Sequence, residues 1–181
     1  MERITDKEFL QAELDMGISF DNPNFVNLAN KTAEQIKGLG HTVLDYGAGT
    51  GVYSDAFHRA GFDVSIYEIF EAHCEYIKEK APHLKIVKKP ITTDIMAFIE
   101  VAEHMTDKEL NSLFKNIEPN YILFSSTSER KPGWDESWGH INIKEQTEWD
   151  AFFEGYGYKV EKQLSIPTSW AKLYKNGKTD R

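Results

Sequence analysis

Apolar residues recur at helical spacing in two segments near the start of the chain. Phe9, Leu10 and Leu14 follow Thr5-x-x-Glu8, a capping-box pair, and this run stops at Gly17. After the turn-rich Asp21-Asn22-Pro23-Asn24, a second helix is predicted from about Phe25 to Lys37. Its Phe25, Leu28, Ala29, Ala33 and Ile36 share or border one face, and Gly38 and Gly40 end it. The period then changes. Val43-Leu44, Phe62–Tyr67, Leu84–Lys88, Ile95–Ile99 and Tyr121–Phe124 are short runs of strand type, with helical patterns beginning at Val52, Glu71 and, behind the Thr106-x-x-Glu109 cap, at Leu110. Strands alternating with helices predict βαβ units and a parallel sheet. One crossover breaks the rule: only Lys89-Pro90-Ile91-Thr92-Thr93 separates the third strand from the next, so the usual helix there is missing or reduced to a turn. A helix over Gln146–Glu154 with Trp149, Phe152 and Phe153 precedes two final strands, Tyr158–Ile166 and Ser169–Tyr174, joined by Pro167-Thr168.

The first βαβ unit carries the densest chemistry. Val43-Leu44-Asp45-Tyr46-Gly47-Ala48-Gly49-Thr50-Gly51 reads as a strand, a tight glycine loop and the start of a helix. Glycine allows positive φ and removes the Cβ that would hold a ligand away, while free N–H groups of the next helix face the loop. Glu68 ends the second strand, where a carboxylate can accept hydrogen bonds from both hydroxyls of a ribose. The unit is read as a cradle for an adenosine-type ligand.

A dinucleotide fingerprint, Gly-x-Gly-x-x-Gly, would need a third glycine where this chain has Val52; here the spacing is Gly-x-Gly-x-Gly, with Asp45 two residues before the first glycine. In this form the chain resembles the class I S-adenosylmethionine-dependent methyltransferases. Asp94–His104, which contains Glu100-Val101-Ala102-Glu103-His104, is similar to that family's fourth strand and to the Glu-Val-x-Glu-His segment of one of its branches. The resemblance covers the chain from about residue 25. It implies a three-layer α/β sandwich with a seven-stranded, mostly parallel Rossmann-like sheet of order 3-2-1-4-5-7-6, the seventh strand antiparallel. It also implies S-adenosyl-L-methionine as cofactor and S-adenosyl-L-homocysteine as product. Carried onto this sequence, it gives Gly47, Ala48, Gly49 and Gly51 to the cofactor's amino-acid part, Asp45 to its ammonium, directly or through water, Glu68 to the ribose, Ile69 to the adenine face and Glu100 to the amino-acid end. Backbone groups near Ile91 and Thr92 substitute for the adenine contact of the missing crossover helix.

Length and charge narrow the rest. A chain of 181 residues with 40% apolar and 13% aromatic residues is expected to be one domain. Within it, residues 1–40 form a helical cap, 41–175 the core and 176–181 a frayed tail. Cys74 is the single cysteine, no signal peptide or long apolar run is seen, and a cytoplasmic protein without membrane contact is expected. A net charge of −8, from 29 acids against 21 Lys and Arg, disfavours long nucleic acid as a partner. Oligomeric state is left open.

Methyl transfer from a sulfonium is a displacement that needs positioning and, for a hydroxyl acceptor, a base. His140 is the favoured base, in the long polar loop Glu129–Asn142, with His104 as the second candidate; His41, His58, His73 and His83 are expected away from the ligand edge. Glu103, Trp134 and Trp138 are assigned to the acceptor, the tryptophans on a loop because Pro132, Gly133 and Gly139 surround them. Glu100, Glu103, His104 and His140 are also similar to the ligand pattern of metal-dependent O-methyltransferases that act on catechol-like quinone precursors or RNA 3′ ends; a divalent metal is not the favoured reading. The expected acceptor is a small molecule, a sugar, nucleotide-sugar or similar hydroxyl. Alternatives are N-methylation of a small amine, an S-adenosylmethionine-binding protein without catalysis, and a nicotinamide oxidoreductase.

Overall fold

The structure is a computed structural model and describes residues 5–128 and 130–178. α1 (Asp6–Asp15) starts at the Thr5–Glu8 capping box. α2 (Pro23–Glu34) starts two residues earlier than its apolar stripe suggests. Asn22 caps it by accepting from Asn24 N at 3.1 Å, and Pro23 sits in the first turn, where a missing N–H costs nothing.

Among the described residues seven strands form one sheet: β1 (Thr42–Tyr46), β2 (Asp63–Tyr67), β3 (Lys85–Ile86), β4 (Ile95–Ile99), β5 (Tyr121–Ser125), β6 (Tyr158–Leu164) and β7 (Ala171–Asn176). Their order is β3-β2-β1-β4-β5-β7-β6, with β7 antiparallel to both β5 and β6 and the other pairs parallel. This is the expected sheet. α3 (Val52–Arg59) and α4 (Glu71–Lys80) follow β1 and β2, α5 (Asp107–Asn116) follows β4, and α7 (Gln146–Gly155) precedes β6.

The central strands are apolar at nearly every position because both of their faces are covered. Val43, Ile66, Ile95 and Leu123 join Ala33 of α2 and Phe57 of α3 in one core, whereas Leu44, Met96, Phe98 and Phe124 join Leu110 and Phe114 of α5 and Trp149 and Phe153 of α7 in the other. Successive residues of one strand thus feed opposite layers. Each such fully buried side chain contributes about 1.5–3 kcal/mol relative to exposure.

The crossover after β3 lacks a helix, as expected, but the length of β3, the place of Thr92 and the setting of the tryptophans are corrected. β3 is shorter than its apolar run, and residues 87–94 return without a helix to the amino-terminal edge of the sheet. Thr92 Oγ1 accepts from Glu118 N at 3.3 Å, and Asp94 Oδ2 accepts from His41 N at 2.8 Å. Thr92 therefore lies toward the edge opposite the ligand loop, unsuited to contact adenine, while Ile91 is an exposed residue of the returning segment. The tryptophans are not on a loop either. Pro132 and Gly133 precede a short helix, α6 (Trp134–Trp138), and the two rings meet one turn apart with centroids 5.6 Å apart. β7 continues to Asn176, which is 3% exposed, and the end of the expected tail at residues 179–181 lies outside the described residues. No helix among the described residues is long and apolar enough to cross a membrane.

Candidate active site

The loop after β1 is built from backbone. Gly47 has φ 70° and Gly51 φ 81°, and a Cβ would come within 2.7 Å of Val101 Cγ2 at the first and 2.8 Å of Ile77 Cγ1 at the second. Only glycine fits either place, because φ is positive and Val101 and Ile77 pack against the loop where a Cβ would stand; Gly51 is the N-cap of α3 at the carboxyl end of β1. Such a cradle suits the amino-acid and ribose parts of a nucleoside cofactor. Glu68 pins it: its Oε2 accepts from Gly49 N at 3.0 Å, and its Oε1 from Ile69 N at 2.7 Å and Phe70 N at 2.9 Å. Burial raises the Glu68 pKa despite those three donors. Ile69 beside it is 71% exposed, an apolar face turned outward at this edge.

Asp45 lies deeper than its assigned role requires. It is 3% exposed, its Oδ2 accepts from Ser54 Oγ at 2.5 Å, and burial pushes its carboxyl up to about 7. Glu100 follows β4 with φ 53°, a left-handed conformation that costs a non-glycine residue about 1–3 kcal/mol and recurs at functional sites. Burial and the neighbouring Glu103 push its carboxyl up to about 8, while the Thr127 hydroxyl donates to its Oε2 at 3.3 Å.

Glu103 is fully buried. Its Oε2 accepts from Ser126 Oγ at 2.9 Å and its Oε1 from Thr127 N at 3.1 Å, while its carbonyl accepts from Ile141 N and Asn142 N. It ties the ends of β4, β5 and the 130–142 segment together, with both carboxylate oxygens turned to protein partners. This corrects its assignment to substrate.

The two candidate bases meet. The His104 and His140 rings lie edge to face with centroids 4.8 Å apart. Burial and His140 push His104 down to about 4, so its imidazole is neutral, with a ring N–H donated to the Gly139 carbonyl. His140 Nδ1 lies 3.0 Å from Asp135 Oδ1. A carboxylate accepts only, so Nδ1 carries a proton, and Nε2 is the ring nitrogen turned away from Asp135. Burial acts against ionised Asp135, but the Lys131 N–H, His140 and Arg130 outweigh it and hold the carboxyl below the usual range. Glu103, His104 and His140 offer ligand-type atoms within 4.8 Å of one another. Mixed carboxylate and imidazole donors of this kind could hold a divalent ion.

α1 crosses the same edge. The Phe9 ring lies 5.6 Å from Phe70 and 5.9 Å from His73 on one side, and 6.0 Å from His104 and 5.4 Å from Trp138 on the other. Trp138 is partly covered by these contacts, whereas Trp134 is 50% exposed.

The methyltransferase-domain family matches residues 20–163. The chain belongs to that family. Its sheet is that of the class I, S-adenosylmethionine-dependent members, as the glycine loop implies. Among solved structures, this methyltransferase is similar to a protein in a complex between the Haloferax volcanii Trm112 methyltransferase activator and a methyltransferase, with a TM-score of 0.71 and 13% identity over 97% of this chain and 99% of that one. The pyocyanin biosynthetic protein PhzM gives a TM-score of 0.67 at 12% identity, over 96% of this chain and 62% of that one. Magnesium protoporphyrin IX methyltransferase from Synechocystis PCC 6803, solved with bound S-adenosylmethionine, gives 0.63 at 14% identity, over 96% and 84%. At such identities the likeness is one of fold, and the chain spans about three-fifths of PhzM. No curated protein matches the chain.

In this methyltransferase the structure gathers Gly47, Ala48, Gly49, Gly51, Glu68, Ile69, Glu100, His104, Trp138 and His140 at one edge of the sheet, and takes Thr92 away from it. It also corrects His73, expected to be remote: fully buried on α4, it lies beside Phe9 and Phe70, with Nε2 2.8 Å from Glu13 Oε2. Sequence reasoning missed Phe9, Glu13 and Asp135. Only Asp135 left a local signal, an acid five residues before the candidate base; α1 is placed by tertiary packing alone.

Proposed function

We propose that this methyltransferase uses S-adenosylmethionine to methylate a hydroxyl on a small molecule, a sugar, nucleotide-sugar or similar ring, with His140 as the general base and Asp135 orienting it. The observation that carries the reading is the Asp135–His140 contact at 3.0 Å, at the edge of the sheet that also holds the glycine cradle. When bound, the cofactor supplies an electrophilic methyl group on a positively charged sulfur. The glycine loop and Glu68 fix its position, and the half-buried, acid-lined edge favours its charge. His140 accepts the hydroxyl proton at Nε2 as the acceptor oxygen forms its bond to the methyl carbon and the carbon–sulfur pair returns to sulfur. Asp135 stabilises the resulting imidazolium. His104, held neutral, packs against His140 and limits its ring to that orientation. Trp138 and Trp134 supply flat apolar surface on which a ring-shaped acceptor can stack. A mitomycin 7-O-methyltransferase is among the proteins of similar fold, at 15% identity, which agrees with oxygen as the acceptor atom.

The test is release of S-adenosylhomocysteine by the purified protein over a panel of sugars, nucleotide sugars, phenols and amines. Turnover confined to hydroxylated acceptors and suppressed in His140→Ala and Asp135→Asn supports the reading. Turnover on amines alone would move it to N-methylation. Binding of cofactor with no turnover on any acceptor or cell extract would make the protein a binder.

A further inference from the structure

Besides Asp135, which holds His140, five acids stand at or near the ligand edge, and four of them are already engaged. Asp45 is buried against Ser54, Glu68 accepts three backbone N–H groups, Glu103 holds Ser126 and Thr127, and Glu100 shares its surroundings with Glu103. The fifth, Glu13, comes from α1, the element that sequence reasoning treated as a cover.

Glu13 is aimed by its neighbours. Its Oε2 lies 2.8 Å from Nε2 of the fully buried His73, and because a carboxylate can only accept, the proton on that nitrogen points at Glu13. Its Oε1 accepts no hydrogen bond among the described residues, and it is the heavy atom closest to where a Cβ on Gly49 would stand, at 3.1 Å. The same carboxylate acts electrostatically on His104. It therefore sits over the middle glycine of the cradle, between the cofactor loop and the acceptor histidines, with its side chain 14% exposed. Phe9 and Asp6, one and two turns earlier, fasten α1 there: Phe9 packs on Phe70, and Asp6 Oδ2 accepts from Ala72 N at 3.3 Å at the start of α4.

We propose that Glu13 is a cofactor-binding residue: its carboxylate receives the ammonium of the cofactor's amino-acid end over Gly49, with His73 as the buried group that positions it. The assignment rests on the methyltransferase reading and replaces Asp45 as the direct partner. A cofactor with an amino-acid end presents a cation where the loop's backbone presents no acceptor side chain, and a charge-assisted hydrogen bond to a partly buried carboxylate is among the stronger polar contacts. It also makes α1 part of the binding site.

The test is equilibrium titration of the full chain and of Glu13→Gln with three probes: S-adenosylmethionine, S-adenosylhomocysteine and 5′-methylthioadenosine, which keeps the adenosine and sulfur but lacks the amino-acid end. Gln still offers His73 an acceptor, and a thermal melt checks that the variant folds. The expected result is a loss of about 10- to 100-fold for both amino-acid-bearing ligands and less than about twofold for methylthioadenosine. Glu13→Asp, which draws the charge back by one methylene, should fall between, and decides the matter if the Gln variant does not fold. Unchanged or tighter binding of all three probes to the variants would overturn the assignment while leaving the methyltransferase reading intact. A loss for S-adenosylmethionine alone would overturn it in favour of the sulfonium, and an equal loss for methylthioadenosine in favour of the ribose. A folded wild type that binds none of the three overturns both readings.

Discussion

The glycine loop beyond β1 and the histidine cluster beyond β4 and β5 lie on the same edge of one sheet, yet they are built in opposite ways. The first is made of backbone: its shape is set by positive-φ glycines against which Val101, Glu13 and Ile77 pack where a Cβ would stand, and a single carboxylate, Glu68, locks it to the next strand. The second is made of side chains drawn from remote segments. Glu103 holds Ser126 and Thr127 through its carboxylate and residues 141 and 142 through its carbonyl; Asp135 holds His140, and Phe9 reaches over from α1. A backbone cradle can serve one cofactor, whereas a side-chain wall can be re-cut for different acceptors without disturbing it. The contrast predicts that damage to one half should leave the other largely working.

The largest effect is expected at the base. His140→Ala should lower kcat by about 10²- to 10⁴-fold while the affinity for S-adenosylhomocysteine, measured by calorimetry, stays within about twofold. Joint loss of both would break the division. Gly51→Val is its mirror image. A branched Cβ at φ 81°, 2.8 Å from Ile77, combines strain with overpacking, and a loss of about 2–4 kcal/mol in urea unfolding together with loss of cofactor binding is expected. Glu103→Ala strands two hydrogen-bond partners and should cost about 1–3 kcal/mol. Faster amide exchange at Thr127, with the Gly49 amide unchanged, would place that damage on the acceptor side.

A smaller effect crosses the boundary. Asp45 and Glu100 have folded pKa values near 7 and 8, above their ordinary values of 3.8 and 4.5. Groups raised in this way contribute stability that is full below the unfolded pKa and is lost as pH rises through the folded one. The thermal midpoint should therefore fall between pH 5 and pH 9, and Glu100→Gln, which cannot ionise, should flatten the upper part of that fall. A midpoint that rises over this range would contradict the burial of both carboxyls.

How much of this could be read beforehand follows the same contrast. The capping boxes at Thr5 and Thr106, the apolar β4 run, the glycine spacing and Glu68 are local patterns, and each appears where the pattern put it. The tryptophan helix is not legible locally, because Pro132 and Gly133 read as breakers of a segment they only precede. Thr92 was misplaced because spacing cannot say at which edge of a sheet a helix-free return will be pinned.

By itself, then, the sequence determined the order of the elements, the buried strands and the backbone of the cofactor loop, because periodicity, capping and the absence of a Cβ act over a few neighbouring residues. Only the tertiary structure decided which acids remain open to a ligand, which histidine carries a carboxylate partner, and that Phe9, Glu13 and His73 meet at the ligand edge. Those facts depend on contacts such as the one between Glu13 and His73, 60 residues apart in the chain. Burial, hydrogen bonding and charge there are properties of the packed neighbourhood, which no local pattern encodes.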